Sequence, residues 1–132
     1  MSLVTRFSTD KLPKPIAPYS VASIIDMGSF YMIQTSGLIG INEKQEIISD
    51  CVEEQTDLCL KYYKIIVDEN KGNIEDTVKV NIYVIDLNDF STVNQVYSKY
   101  FTSNYPSRTC VQVSRLPKDA KVEIEATFVV KK

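Results

Sequence analysis

The spacing of hydrophobic positions changes along the chain, and each change predicts an element. Residues 3–8 and 21–26 are short β-branched stretches. They are separated by KLPKPIAPYS, whose three prolines cannot continue a ladder and force an extended connection. FYMIQT at 30–35 is another apolar run, and Met27, Gly28 and Ser29 before it predict a hairpin turn. From Asp50 the period becomes helical: Val52, Thr56, Cys59, Tyr63, Ile66 and Val67 share one face and charged residues the other. Asp50 is placed to cap this helix of about five turns, and Gly72 lies just past its end.

TVKVNIYVID at 77–86 is too apolar on both sides for a wetted edge, so it reads as a central strand. Asn88 or Asp89 then caps a second helix carrying Phe90, Val93, Tyr97, Tyr100 and Phe101 in one stripe and stopping before Pro106. Two strands follow, about 107–115 and 121–131, joined as a hairpin through LeuProLysAsp. The order ββαβαββ, with about six strands in all, predicts an α+β fold: one mixed sheet with two helices on one face.

With 132 residues, 44% of them hydrophobic, the chain is the size of one domain spanning 1–132, large enough to bury a core without staples. No repeat or interdomain linker interrupts it. A net charge of -2 and a pI near 5.2 disfavour nucleic acid as a partner and suit a small neutral or anionic metabolite. Histidine is absent, which removes the commonest metal ligand, the Ser-His-Asp relay and the usual near-neutral base. Three cysteines without CxxC spacing suit a reducing, cytoplasmic compartment. The N-terminus has no apolar run for a signal peptide and no stretch is long enough to span a membrane, so a soluble protein is expected. A short organellar targeting role for the N-terminus stays open.

The stretch YPSRTCVQVSRLPKDAKVEIEA at 105–126 places an arginine and two glutamates on the last two strands. By alternation Arg108, Cys110, Gln112 and Ser114 share one face, and Glu123, Glu125 and Thr127 share one on the final strand. With the helices covering the apolar face, Arg108, Cys110, Glu123 and Glu125 are all expected on the other. The plain alternative is a solvated face with weak cross-strand ion pairs. Cys110 alone reads as a packing residue, since no histidine is present to deprotonate it.

The segment Arg108 to Ala126, with IAPYS at 16–20, TSG at 35–37, EEQT at 53–56, DLNDFSTVN at 86–94 and YFTSNYPSR at 100–108, closely resembles the RidA (YjgF, or L-PSP) family of enamine/imine deaminases. The resemblance implies a chorismate-mutase-like protomer, a homotrimer packed sheet to sheet, and sites in the clefts between subunits. It implies hydrolysis of 2-imino acids, such as 2-iminobutyrate and 2-iminopropanoate, to 2-keto acids and ammonia, with neither metal nor organic cofactor. By that likeness Arg108 binds the substrate carboxylate and the backbone amide of Cys110 assists. Glu123 positions or activates water, Tyr19 walls the cleft, Ser36 and Gly37 form a polar turn beside the substrate, and Asn94 is a polar neighbour. Each has a plain alternative: packing under the prolines for Tyr19, a turn former for Ser36, an exposed helix residue for Asn94. Glu125 reads as a surface or inter-subunit charge.

Departures from the family pattern are Leu38, Ile39 and Gly40 where GlnIlePro is common, Tyr62 in the first helix, Val21 after PYS and one extra residue before Gly72. They bear on loop shape and substrate preference. In the expected hairpin, Arg108 lies opposite about residue 127 and Glu123 opposite about residue 112, roughly 14 Å apart. That is too far for one small substrate, so Arg108 is expected to work with Glu123 of a neighbouring subunit. The competing functions are a non-catalytic regulator binding a 2-keto acid or similar carboxylate, and an endoribonuclease.

Overall fold

The computed structural model describes residues 3–132; Met1 and Ser2, the start of the N-terminal stretch considered above for targeting, lie outside the described residues. Three strands come first: β1 (Val4–Phe7), β2 (Ala22–Asp26) and β3 (Phe30–Thr35). Helix α1 (Val52–Glu69) leads to β4 (Thr77–Val84), then α2 (Phe90–Tyr100), β5 (Ser107–Gln112) and β6 (Val122–Lys131). The strands form one six-stranded mixed sheet in the order β1-β2-β3-β6-β4-β5. The fold is α+β, as the periodicity predicts, with three strands rather than two before α1.

The apolar stripe of α1, including Cys59, Leu60, Tyr63, Ile66 and Val67, is buried with Val93, Val96 and Tyr97 of α2. These pack on Ile33, Val80, Ile82, Val84, Ile124 and Phe128 of the central strands in one core cluster. Cys59, 0% exposed, donates its thiol to the carbonyl of Leu38 at 3.2 Å, and burial pushes its pKa up, so it is a packing group. Among the described residues no helix is long and apolar enough to cross a membrane.

The helix ends differ from the sequence reading. Cys51, not Asp50, is the N-cap of α1 and makes no side-chain cap bond. At the other end Lys71 takes the left-handed conformation (φ 59°), with Lys71 N–H bonded to Asp68 O and Gly72 N–H to Val67 O. That pair of hydrogen bonds closes the helix after its C-cap Asn70, with Lys71 rather than Gly72 in the left-handed position. Asp89, one of the two expected residues, is the N-cap of α2 but makes no side-chain cap bond; Asp86 accepts from Asn88 N–H at 2.9 Å and starts the short turn Leu87–Asp89 that runs into the helix.

The larger difference concerns the last two strands. β5 pairs with β4 in parallel, and β6 pairs antiparallel with both β4 and β3. The expected β5–β6 hairpin is absent: residues 113–121 carry the chain past the end of β4, so β5 is a sheet edge. The β4–α2–β5 unit is a parallel crossover, which needs its helix and cannot be a tight hairpin.

Candidate functional site

The register sets the faces. Arg108 pairs with Val80 and Cys110 with Ile82, while Val80 and Ile82 also pair with Ala126 and Ile124. Neighbouring partners in a sheet project to the same side, and Val80 and Ile82 are fully buried under the helices. Arg108 and Cys110 therefore lie on the helix-covered face. Glu123 pairs with Tyr83, Glu125 with Asn81, and both glutamates lie on the open face. The expectation that all four share one face is overturned. Alternation misled because the open face is itself partly apolar: Met32, Val129 and the exposed Val111 belong to it. Apolar residues on β5 therefore do not mark the side under the helices.

Two clusters result. The first lies at the free edge of β5. The Arg108 Cζ sits 4.7 Å from the ring centroid of Tyr97 and 5.6 Å from that of Phe90, both on α2. Asn94 lies between those rings on the same helical stripe. Val113 N–H bonds to Val84 O at 2.8 Å. Backbone donors alternate sides along a strand, so the N–H of Cys110 faces the free edge. The Cys110 thiol is pushed up by burial, against the opposing pull of Arg108, and is no thiolate nucleophile. Arg108, half-buried, makes no hydrogen bond or ion pair to any described residue.

The second cluster is a cleft of about 430 Å³ under the proline-rich segment, and it brings together Tyr19, Ser36, Gly37 and Glu123. The Ser36 hydroxyl donates to the carbonyl of Ser20 at 2.6 Å, and Ser36 N–H bonds to Val21 O at 2.9 Å. Ser36 thus pins the end of the proline-rich segment to the end of β3, a structural role different from the turn former considered for it. A β-carbon at Gly37 would stand 2.6 Å from Oε1 of Glu123, so only glycine lets that carboxylate lie against the backbone. Leu38 and Ile39 line the same cleft, and Gly40 packs where a β-carbon would meet the Gln55 backbone at 2.9 Å. Tyr62, singled out only as a departure, also lines it and donates its hydroxyl to Ile41 O at 2.5 Å.

Glu123 is half-buried, and its carboxylate accepts no hydrogen bond from the described residues. Burial, and secondarily the charge of Glu125, raise its pKa above the ordinary carboxylate value. Glu125 differs: it accepts from Tyr83 at 2.6 Å and from Asn81 at 3.3 Å. That bond, before burial, pushes the Tyr83 hydroxyl up to about 12. Of the predicted site residues, Tyr19, Ser36, Gly37 and Glu123 thus converge in one place, and Asn94, Arg108 and Cys110 in another. Sequence reasoning missed Phe90 and Tyr97 beneath Arg108, although both stood in the predicted α2 stripe. Among the described residues no group of three or more His, Cys, Asp or Glu side chains is placed to hold a metal ion.

Known proteins are similar to this chain in sequence and in architecture. Over 119 residues the chain is 45% identical to a RutC family protein of Pyrococcus abyssi, covering 89% of this chain and 91% of that one. It is 41% identical over 125 residues to the 2-iminobutanoate/2-iminopropanoate deaminase of Salmonella typhimurium, covering 92% and 94%. The crystal structure of Escherichia coli TdcF with bound serine superposes with a TM-score of 0.84 at 40% identity, over 96% of this chain and 99% of that one. Residues 9–130 match the family described as Endoribonuclease L-PSP, and with these relatives the chain belongs to that family, the RidA (YjgF) proteins.

Proposed function

We propose that the protein is a hydrolytic deaminase of 2-imino acids, acting as a homotrimer in which the Arg108 edge of one protomer closes the Glu123 cleft of the next. The observation that carries this is a pair of half-buried, opposite charges, neither side chain making a hydrogen bond or ion pair to any described residue. A buried charge left unpaired costs several kcal/mol per ion, so both are expected to face a ligand or another protomer. A guanidinium with free donors recognises a carboxylate through two parallel N–H···O bonds. The serine bound in the TdcF structure bears such a group, and the Salmonella relative is named for imino acids.

The chemistry follows from the two clusters. Arg108 holds the substrate carboxylate and thereby the adjacent C2 atom of the protonated imine. Glu123, as carboxylate, takes a proton from a water molecule while the water oxygen bonds to C2 and the C=N π electrons move to nitrogen. The Glu123 carboxyl passes its proton to that nitrogen, and the C2–N bond breaks as the hydroxyl of the adduct becomes the keto group. Loss of the hydroxyl proton balances the step as 2-keto acid plus ammonium. Burial of Glu123 raises its basicity for the first transfer, and Gly37 fixes where it stands.

The test generates 2-iminobutyrate in place with an amino-acid oxidase and follows keto-acid release. Wild type is expected to accelerate hydrolysis. Arg108→Ala and Arg108→Lys are expected to lose nearly all acceleration, and Glu123→Gln most of it. Wild-type protein that binds 2-ketobutyrate but leaves imine decay unchanged would instead make the site a binding regulator. RNA cleavage that co-purifies with the protein and survives Arg108→Ala would make it a ribonuclease.

A further inference from the structure

We propose that Phe90 and Tyr97 are positioning residues: together they form an aromatic shelf that sets the orientation of the Arg108 guanidinium. The proposal rests on the reading of Arg108 as the carboxylate-binding group. An arginine side chain free of hydrogen bonds samples many rotamers and must be ordered when it binds, which weakens affinity. Here no acceptor among the described residues does the ordering, since the Arg108 side chain makes no hydrogen bond or ion pair to any of them. Two ring faces do it, at 4.7 and 5.6 Å from Cζ.

The shelf is itself fixed. Tyr97 is 6% exposed and stacks on Phe101 with centroids 4.4 Å apart and planes 21° apart. Its buried hydroxyl has no hydrogen-bond partner among the described residues, so the fold uses the ring at this position and not the polar tip. Phe90 stands two turns earlier on the same stripe and is 40% exposed, an apolar ring left partly in water at the helix start. A guanidinium over a ring face keeps its in-plane N–H donors free at its rim, which is where a carboxylate must approach. The shelf thus attracts the cation without consuming a single donor.

Phe90, being partly exposed, allows a test that does not endanger folding. Binding of 2-ketobutyrate by calorimetry, and kcat and KM for 2-iminobutyrate, are measured for Phe90→Leu, Phe90→Trp and Arg108→Ala, and for Phe90→Leu in the Arg108→Ala background. Phe90→Leu is expected to weaken binding about tenfold and raise KM with little change in kcat. Phe90→Trp, which restores a ring, recovers affinity, and Phe90→Leu adds nothing once Arg108 is gone. An equal loss from Phe90→Leu in both backgrounds, or no loss in either, overturns the shelf while leaving the role of Arg108 intact. Undiminished binding by Arg108→Ala overturns the role of Arg108 itself and the shelf with it.

Discussion

Arg108 and Glu123 lie on opposite faces of one sheet, on the two strands that flank β4, at the rows of Val80 and Tyr83. Three residues along β4 and two strand spacings across it separate their backbones by about 14 Å. The sheet itself stands between their side chains. No substrate the size of an imino acid bridges them within one protomer, so the proposed reaction, which uses both, calls for a second copy of the chain.

Gly37 is the first place to test that view. Its backbone does not adopt the left-handed region, so alanine brings no backbone strain there, and the atoms nearest the added methyl group are Oε1, Cδ and Cγ of the flexible Glu123 side chain, at 2.6, 2.7 and 3.1 Å. Gly37→Ala is expected to displace the carboxylate and lower kcat/KM on the order of 100-fold, while the melting temperature changes by no more than a degree or two. Steady-state kinetics beside a thermal melt check this.

Glu123 also makes stability depend on pH in a defined direction. Its folded-state pKa is raised above 4.5, the ordinary value, chiefly by burial. Below that ordinary value both folded and unfolded chains are protonated and burial carries no penalty; as pH rises through the raised value the folded state must hold a buried charge and stability is lost. Glu123→Gln is therefore expected to raise the melting temperature by a few degrees near pH 7 and hardly at all near pH 4. The comparison belongs in the Arg108→Ala background, where no neighbouring guanidinium offsets the charge.

Gln55 is a structural counterpart from the EEQT motif. It is 1% exposed; its Nε2 donates to Ser49 O at 2.7 Å and its Oε1 accepts from Lys121 N–H at 2.9 Å. The side chain thereby joins the segment before α1 to the start of β6. Gln55→Leu leaves both backbone groups unpaired and is expected to cost about 3 kcal/mol in urea unfolding.

How much of this was legible beforehand depends on the range of the interaction. The α1 stripe, the central position of β4 and the turn at Met27, Gly28 and Ser29 follow from local periodicity, and each is found where it predicts. The β5–β6 pairing was not legible. A ValSerArgLeuProLysAsp connection permits a hairpin as readily as a passage around β4, and only burial of the whole sheet decides between them. Arg108 and Cys110 were assigned to the wrong face, whereas Glu123 and Glu125 lie on the open face as expected. The separation of Arg108 and Glu123 survived, because about 14 Å results from either arrangement. The grouping of Tyr19, Ser36, Gly37 and Glu123 came from family likeness; no spacing in the chain would have brought residues so distant in sequence together.

The central claim is that each active cleft takes Arg108 from one protomer and Glu123 from another. Arg108→Ala and Glu123→Gln proteins, each expected to have lost most or nearly all acceleration alone, can be unfolded, mixed in equal amounts and refolded together. If the trimer closes head to tail, a cleft is whole when its Glu123 comes from the first variant and its Arg108 from the second, so the mixture is expected to recover about a quarter of wild-type imine hydrolysis. A mixture no more active than its parents, in trimers proven to contain both variants, would contradict the account.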